Sequence, residues 1–410
     1  MGKSYWLYLE PYTIIHKKRF KVLLTNTLDG NSYIFKMIEE NDKLVKELMN
    51  PDNNYCIEVS QSTIDHPKIK EFIAYLRKFF LADYVEKKGN LKPFIMIPTL
   101  NLQNAINRFK NDKKPLENDA LSNLTELFLY LSSPNNGNKY SNYRQYLSPF
   151  KYQGHAPRLK NKYLRKIIDQ IRYSAVNTIN ILDEDLLALK NEEKKEIIEL
   201  FNSLDVIKIY HFNIKTLIRF KNELNIFDSL EGEFNIHLLS SEDFNLLHKL
   251  DNLMHRSIFT FSIDYESDIH NAKRNLGGSQ LANYEFKPHF NGSNISFFKK
   301  NVFLEEVDIL QSKIYKKDIF MHKTLNDNDF GRLHVFSNGD IFANVNNPKI
   351  GNIEQDSLKN VVSKEMMTED NWRKTRNYFP CSNCLYQFIC PSPTNYEKVM
   401  NTNLCINGPF

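Results

Sequence analysis

Cysteine is scarce in this sequence, with five residues among 410. Long apolar runs are absent too. No stretch reaches the roughly eighteen residues that a spanning helix needs, so no membrane partner is expected. The opening MGKSYWLYLEPYTIIHKK has no apolar h-region and no small-residue cleavage site, so no secretory signal is expected there. These absences predict a cytoplasmic protein in a reducing compartment, where a compact cysteine group holds metal rather than disulfides. A strong charge of one sign is also missing. The net charge is +5 and no dense Lys/Arg run occurs, which argues against a nucleic-acid partner. No glycine-rich loop of the G-x-x-x-x-G-K or G-x-G-x-x-G type is present, so no phosphate cradle is expected. Nor is there an H-x-x-x-H or H-E-x-x-H pair, or a Ser/His/Asp or Cys/His arrangement to mark a nucleophilic site.

What is present reads as a soluble globular chain: 41% hydrophobic, 25% charged, with 29 Phe and 21 Tyr. The mean hydropathy is −0.49. At this length two or three domains are expected. Residues 1–90 read as a small winged-helix-like unit of three strands and helices. YTIIHKKRFKVLLTNTLDGNSYIF is β-rich around Asp29-Gly30, a dipeptide suited to a tight hairpin. A helix with Leu44, Val45, Leu48 and Met49 on one face follows. A second has Asp65 as a candidate cap and Pro67 in its first turn. Ile69, Phe72, Ile73, Leu76 and Phe80 recur along it at helical spacing.

From 91 to 305 strands alternate with helices. The predicted strands are 124–131, 177–182, 205–212, 233–239 and 257–263, with helical stretches such as YLRKIIDQIRY and NEEKKEIIELFNSL between them. This alternation predicts an α/β fold of βα units, a parallel sheet forming a barrel or partial barrel. From 306 to 410 the chain is irregular, apart from a hairpin in RLHVFSNGDIFANV turning at Asn338-Gly339.

Four of the five cysteines fall in CSNCLYQFICPSPTNYEKVMNTNLC, as Cys381, Cys384, Cys390 and Cys405. The spacing is C-x2-C-x5-C-x14-C. Thiolate is a soft ligand, and four with one close pair suit either tetrahedral zinc or a cubane 4Fe–4S cluster. Spacing alone leaves both open, and the plain alternative is free, buried cysteines without a metal.

The hairpin with NGDIF, the IGNI after it, C-x2-C-x5-C and a last cysteine resemble the SPASM domain of peptide-modifying radical SAM enzymes. That resemblance implies one auxiliary 4Fe–4S cluster on Cys381, Cys384, Cys390 and Cys405. The second cluster of a full SPASM domain has lost its ligands here, where Ala343 and Thr394 or their neighbours stand. The family's C-x3-C-x2-C loop should follow the first barrel strand, but SSPNNGNKYSNYRQYLSPF holds no cysteine. Its Gly-Gly-Glu is likewise replaced by NILDED. No S-adenosylmethionine binding or cleavage is therefore expected. With SYWLYLEPY at its start, the chain resembles the pseudo-radical-SAM/SPASM proteins of Bacteroidales-type peptide-maturation (RiPP) systems. In that resemblance residues 1–90 are similar to a PqqD-like element that takes a leader peptide as an added strand, 91–305 to a degenerate radical-SAM-like barrel, and 306–410 to a SPASM-type iron–sulfur domain.

The function so implied is a non-catalytic accessory protein with a precursor peptide, a radical SAM maturase, or both as partners. The alternatives are a zinc-binding interaction module, and an enzyme or electron-transfer partner using the auxiliary cluster. No catalytic residue is singled out. Cys56 reads as a small buried residue on a strand, and His66 and His334 as isolated histidines at a helix start and in a strand. Gly277-Gly278 reads as a loop and DEDLLALKNEEKKE as a solvated face. Arg144, Gln145 and Tyr146 could line a vestigial cavity.

Overall fold

The computed structural model describes residues 3–93, 120–132, 145–147, 158–172, 174–183, 185–250, 257–276 and 283–406. Arg144 and Gly277-Gly278 lie outside the described residues. The N-terminal region runs β1 (Ser4–Leu9), β2 (Thr13–Lys18), β3 (Lys21–Asn26), β4 (Ser32–Lys36), α1 (Glu39–Met49), β5 (Cys56–Ser60), α2 (Gln61–Asp65), α3 (Pro67–Lys78) and β6 (Ala82–Glu86). It forms two three-stranded antiparallel sheets, ordered β5-β1-β6 and β2-β3-β4, where the sequence pattern anticipated one set of three strands. The Asp29-Gly30 turn joins β3 to β4, with Gly30 at φ +80°.

Strand alternation splits the second sheet between two cores. Ile15, Val22 and Leu24 pack with Leu44, Val45, Phe72 and Leu76 of α1 and α3. Ile14 and Leu23 point the other way, into a core built from the C-terminal region. Two details depart from the periodicity. Asp65 ends α2 and accepts from Gln61, while His66 occupies the N-cap of α3 ahead of Pro67. The helix stops at Lys78, so Phe80 leaves the apolar stripe at φ +54° with 74% of its surface exposed.

The second region runs β7 (Glu126–Tyr130), α4 (Asn161–Ile171), β8 (Thr178–Leu182), α5 (Asn191–Asn202), β9 (Ile207–Asn213), α6 (Ile214–Arg219), β10 (Glu233–Leu238), α7 (Ser241–Phe244), β11 (Ser257–Ile263), α8 (Glu266–Leu276) and β12 (Tyr284–Pro288). The third contains α9 (Ile295–Asn301), α10 (Glu306–Gln311), α11 (Lys316–Thr324), β13 (Arg332–Val335), β14 (Asp340–Phe342), β15 (Gly351–Asn352), α12 (Leu358–Met367) and α13 (Asn395–Met400). All five predicted barrel strands are present, and β12 joins them. Nine strands form one mostly parallel sheet in the order β12-β11-β10-β9-β8-β7-β13-β14-β15. The β13–β14 hairpin turns at Asn338-Gly339, with Gly339 at φ +85°. Its first strand pairs in parallel with β7, from Arg332↔Glu126 to Val335↔Leu129.

From β7 to β12 the strand order is monotonic. Right-handed crossovers wound in one direction place their helices on one face of the sheet. That face is apolar: Leu127, Leu129, Ile179, Ile181, Tyr210, Phe212, Phe234, Ile236, Phe259 and Phe261 pack with Leu164, Ile167, Ile168 and Ile171 of α4 and the helices that follow. Each such aliphatic burial contributes about 1.5–3 kcal/mol. The opposite face carries Glu126, Asn180, His211, Asn235, His237, Thr260, Glu285 and Arg332, joined by side-chain hydrogen bonds. Among the described residues no helix is long and apolar enough to cross a membrane.

Gly232, at φ +153°, leads into β10, and a Cβ there would sit 2.5 Å from the Lys208 carbonyl oxygen of β9. Gly232→Ala is expected to lower stability by about 1–3 kcal/mol, through backbone strain and a clash that no side-chain rotation relieves. Urea unfolding measures it.

Candidate metal centre

The cysteine segment has little regular structure and is shaped by short backbone bonds. Cys381 opens a single 3-10 turn closed by Cys384 N–H donating to the Cys381 carbonyl, 2.9 Å. Cys390 N–H donates to Tyr386 C=O, 2.9 Å, folding the loop between the second and third cysteines back on itself. The fourth arrives separately. Thr394 caps α13, Asn401 ends it in the left-handed region, and Leu404 and Ile406 then bond to the backbone of Leu304 on either side of Cys405.

These elements bring Cys381, Cys384, Cys390 and Cys405 to the lining of one small cavity, shared with Ile309, Arg376, Tyr386 and Asn403. Cys381, Cys384 and Cys390 are buried, Cys405 is half-buried, and all four are free thiols. Among the described residues no three His, Cys, Asp or Glu side chains gather closely enough to hold one metal ion.

Arg376 is the charged wall of this cavity, 5% exposed. It donates to Cys381 Sγ at 3.6 Å, and through both terminal nitrogens to Glu397, at 3.0 and 3.3 Å. Glu397 also accepts from Thr394 N–H and Leu404 N–H, tying α13 and the Cys405 segment to the same guanidinium. Cys384 Sγ accepts from Tyr386 N–H at 3.4 Å.

Burial pushes the Cys390 thiol up to about 12 and the Cys405 thiol up to about 11, and raises Cys381 as well; Arg376 opposes each shift. The charges of neighbouring cysteines add to all three shifts. Burial pulls the Arg376 pKa down, but Cys390 and Glu397 more than offset it, and the guanidinium stays charged. Thiols so raised are protonated at neutral pH. A metal can be held here only by displacing their protons, and Arg376 is placed to compensate part of the resulting negative charge.

Sequence reasoning thus named four residues that the fold assembles, and missed Arg376 and Glu397. A single arginine five residues before a cysteine carries no sequence signal; only its burial marks it. Cys56 is fully buried on β5, outside the cavity. His334 lies on β13, stacked on Phe128 at 4.4 Å. Ala343 is buried after β14, and Thr394 caps α13, so neither position offers sulfur. Gln145 donates to Phe290 C=O at 2.8 Å and accepts from Phe290 N–H at 2.6 Å, holding the loop after β7 near the end of β12. Tyr146 beside it is buried.

The polar sheet face was also missed. Asn180 Nδ2 donates to Glu126 at 2.8 Å, which turns its oxygen toward His211 Nε2 at 2.9 Å and makes that nitrogen a donor. His211 Nδ1, 3.0 Å from His237 Nε2, must then accept, leaving His237 Nδ1 as a buried acceptor with no partner among the described residues. Burial pushes His211 down to about 3, and His237 well below its ordinary value.

No family model matches the chain, and no curated protein matches it in sequence. Among solved structures, Streptococcus suis SuiB bound to precursor peptide SuiA aligns at 13% identity and a TM-score of 0.37, over 94% of each chain. SuiB bound to S-adenosylmethionine aligns at 13% and 0.35, again over 94% of each. SuiB alone gives 13% and 0.38, over 93% of this chain and 94% of the other. Superpositions this loose carry no argument about what the chain does.

The neutral imidazoles have a consequence for acid stability. An unfolded histidine ionises near 6.5, whereas His211 in the fold ionises near 3. Below pH 6.5 the unfolded chain binds the proton first. Stability is therefore fully present above about pH 6.5 and falls toward pH 3, by about 1.4 kcal/mol per pH unit for one such group. In His211→Gln, urea midpoints measured across that window should fall less steeply than in the wild type.

Proposed function

We propose that the chain is a non-catalytic accessory protein of a peptide-maturation system, holding one 4Fe–4S cluster and binding a precursor peptide, its maturase, or both. The observation that carries this reading is the placement of four thiols around one cavity beside a buried arginine. Four protein thiolates suit a 4Fe–4S cluster as well as a single zinc ion, and the resemblance of the cysteine spacing to a SPASM domain favours the cluster. When bound, the cluster supplies a rigid cross-link, and with four protein thiolates it offers no open position to a substrate. The chain's own residues do the rest. Arg376 and the Tyr386 amide donate to sulfur, Ile309 and Tyr386 exclude water from the wall, and Glu397 anchors the guanidinium.

Further support comes from what the upstream sheet lacks. A singly wound parallel sheet with helices on one face has the architecture of a radical-SAM-like barrel. Residues 132–150, which follow its first strand, contain no cysteine to bind a second cubane. The peptide reading rests on the N-terminal unit. In the β2-β3-β4 sheet, β4 is an edge. Its own Tyr33 meets Phe79 at 4.3 Å, and its Phe35 meets Tyr75 at 5.1 Å, so an added strand would extend an aromatic layer packed on α3.

Anaerobically purified protein should contain about four iron and four sulfide per chain, absorb near the visible bands of such clusters, and leave S-adenosylmethionine intact. Stoichiometric zinc in colourless protein would establish the interaction-module alternative instead. Cys384→Ser should lose the iron and leave residues 376–406 locally unfolded, since structural metal sites contribute on the order of 10 kcal/mol. An unchanged circular dichroism melt would count against that role.

A further inference from the structure

The ligand loop touches more than the metal cavity. Strand β2, more than 350 residues away in sequence, lies against it. Lys18 Nζ donates to Ser382 C=O at 2.7 Å, between the first two cysteines. The His16 side chain faces the Cys384 backbone, and its ring meets Phe388 edge-on at 4.5 Å between centroids. Ile14 and Leu23 share one buried core with Cys384, Leu385, Tyr386, Ile389 and Cys390. From below, His322 bonds to Phe388 C=O at 3.0 Å, and Lys323 sits 5.2 Å from its ring. The seat for β2 is thus shared between the ten-residue segment that carries three of the four sulfurs and Ile309, Ile314, Ile319 and Phe320 beside it.

That segment holds its shape with one 3-10 turn and a few backbone bonds. Ligation at three points along it would fix that shape further. On the other side of the same sheet, Ile15, Val22 and Leu24 pack on α1 and α3. The β2-β3-β4 sheet is therefore a shared layer between the peptide-reading unit and the ligand loop.

We infer that occupancy of the four-cysteine site fastens the β2-β3-β4 sheet to the C-terminal body, so that the peptide-reading edge is presented in a fixed place only when the site is filled. This inference rests on the metal reading above. Coupling between two sites is reciprocal. Filling the site must tighten the sheet, and loosening the sheet must weaken retention of the metal.

Both directions can be measured on the full chain, purified anaerobically and assayed for iron. Hydrogen exchange of the amides of Ile14–His16 and Val22–Leu24 should accelerate at least tenfold when the metal is stripped with a chelator, while those of β8 to β11 keep their protection. In the other direction, His16→Ala and Leu23→Ala alter no sulfur. Each should release iron to bathophenanthroline several-fold faster than the wild type while retaining the wild-type circular dichroism spectrum. If stripping opens the whole chain, these two variants decide the matter in the loaded, folded state. Iron-loaded protein whose variants release metal at the wild-type rate overturns the coupling and leaves the metal reading standing. Protein that never holds metal overturns both.

Discussion

A charged guanidinium buried beside four thiols is the constraint around which the C-terminal region is organised. Removing Arg376 from water is costly, and a buried ion pair seldom recovers the cost through Coulomb attraction alone. Here Arg376 and Glu397 meet through two parallel hydrogen bonds, and Arg376 also donates to the Pro391 carbonyl and to Cys381 Sγ. Glu397 meanwhile accepts from the Thr394 and Leu404 amides. One pair thereby links the loop before the cysteines, the cap of α13 and the approach to the fourth sulfur. The arrangement is specific in its geometry and places a positive charge where deprotonated sulfur needs it.

The central sheet obeys a different logic. Its helices lie on one face, and that face is mostly apolar, with Lys208 and Ser257 as buried exceptions. The other face is crossed by hydrogen-bonded polar side chains running from Arg332 through Glu126, Asn180 and His211 to His237. Such a band stays neutral at its histidines because burial disfavours their charged forms. The sheet is therefore stiffened by dispersion on one side, and on the other by directed hydrogen bonds together with a smaller apolar cluster of Phe128, Tyr130, Leu182 and Phe336.

Much of this was legible in the residues. The five strands from β7 to β11 stood out because apolar stretches alternated with helical periodicity, and the Asn338-Gly339 hairpin because its turn needs the positive φ that glycine tolerates. The four cysteines stood out against a sequence otherwise nearly without them. Less legible was whatever depended on partners distant in sequence. The pairing of β13 with β7 joins residues 206 apart, and no local pattern announces it. The polar face did leave a trace: Asn180, His211, His237 and Thr260 interrupt apolar strands where continuous apolar runs would mark burial on both faces. Phe80 misled because its spacing continued the α3 stripe beyond the point where the backbone turns away.

The mode of arrival of Cys405 has a kinetic meaning. Three sulfurs lie within ten residues, but the fourth is held by pairing beside Leu304. As synthesis proceeds from the N-terminus, the first three thiols emerge while their cage still has an open side. The cage closes only once the Leu304 segment is in place and residue 405 has left the ribosome. The four-sulfur site is thus complete only in a chain whose residues about a hundred positions apart have already met.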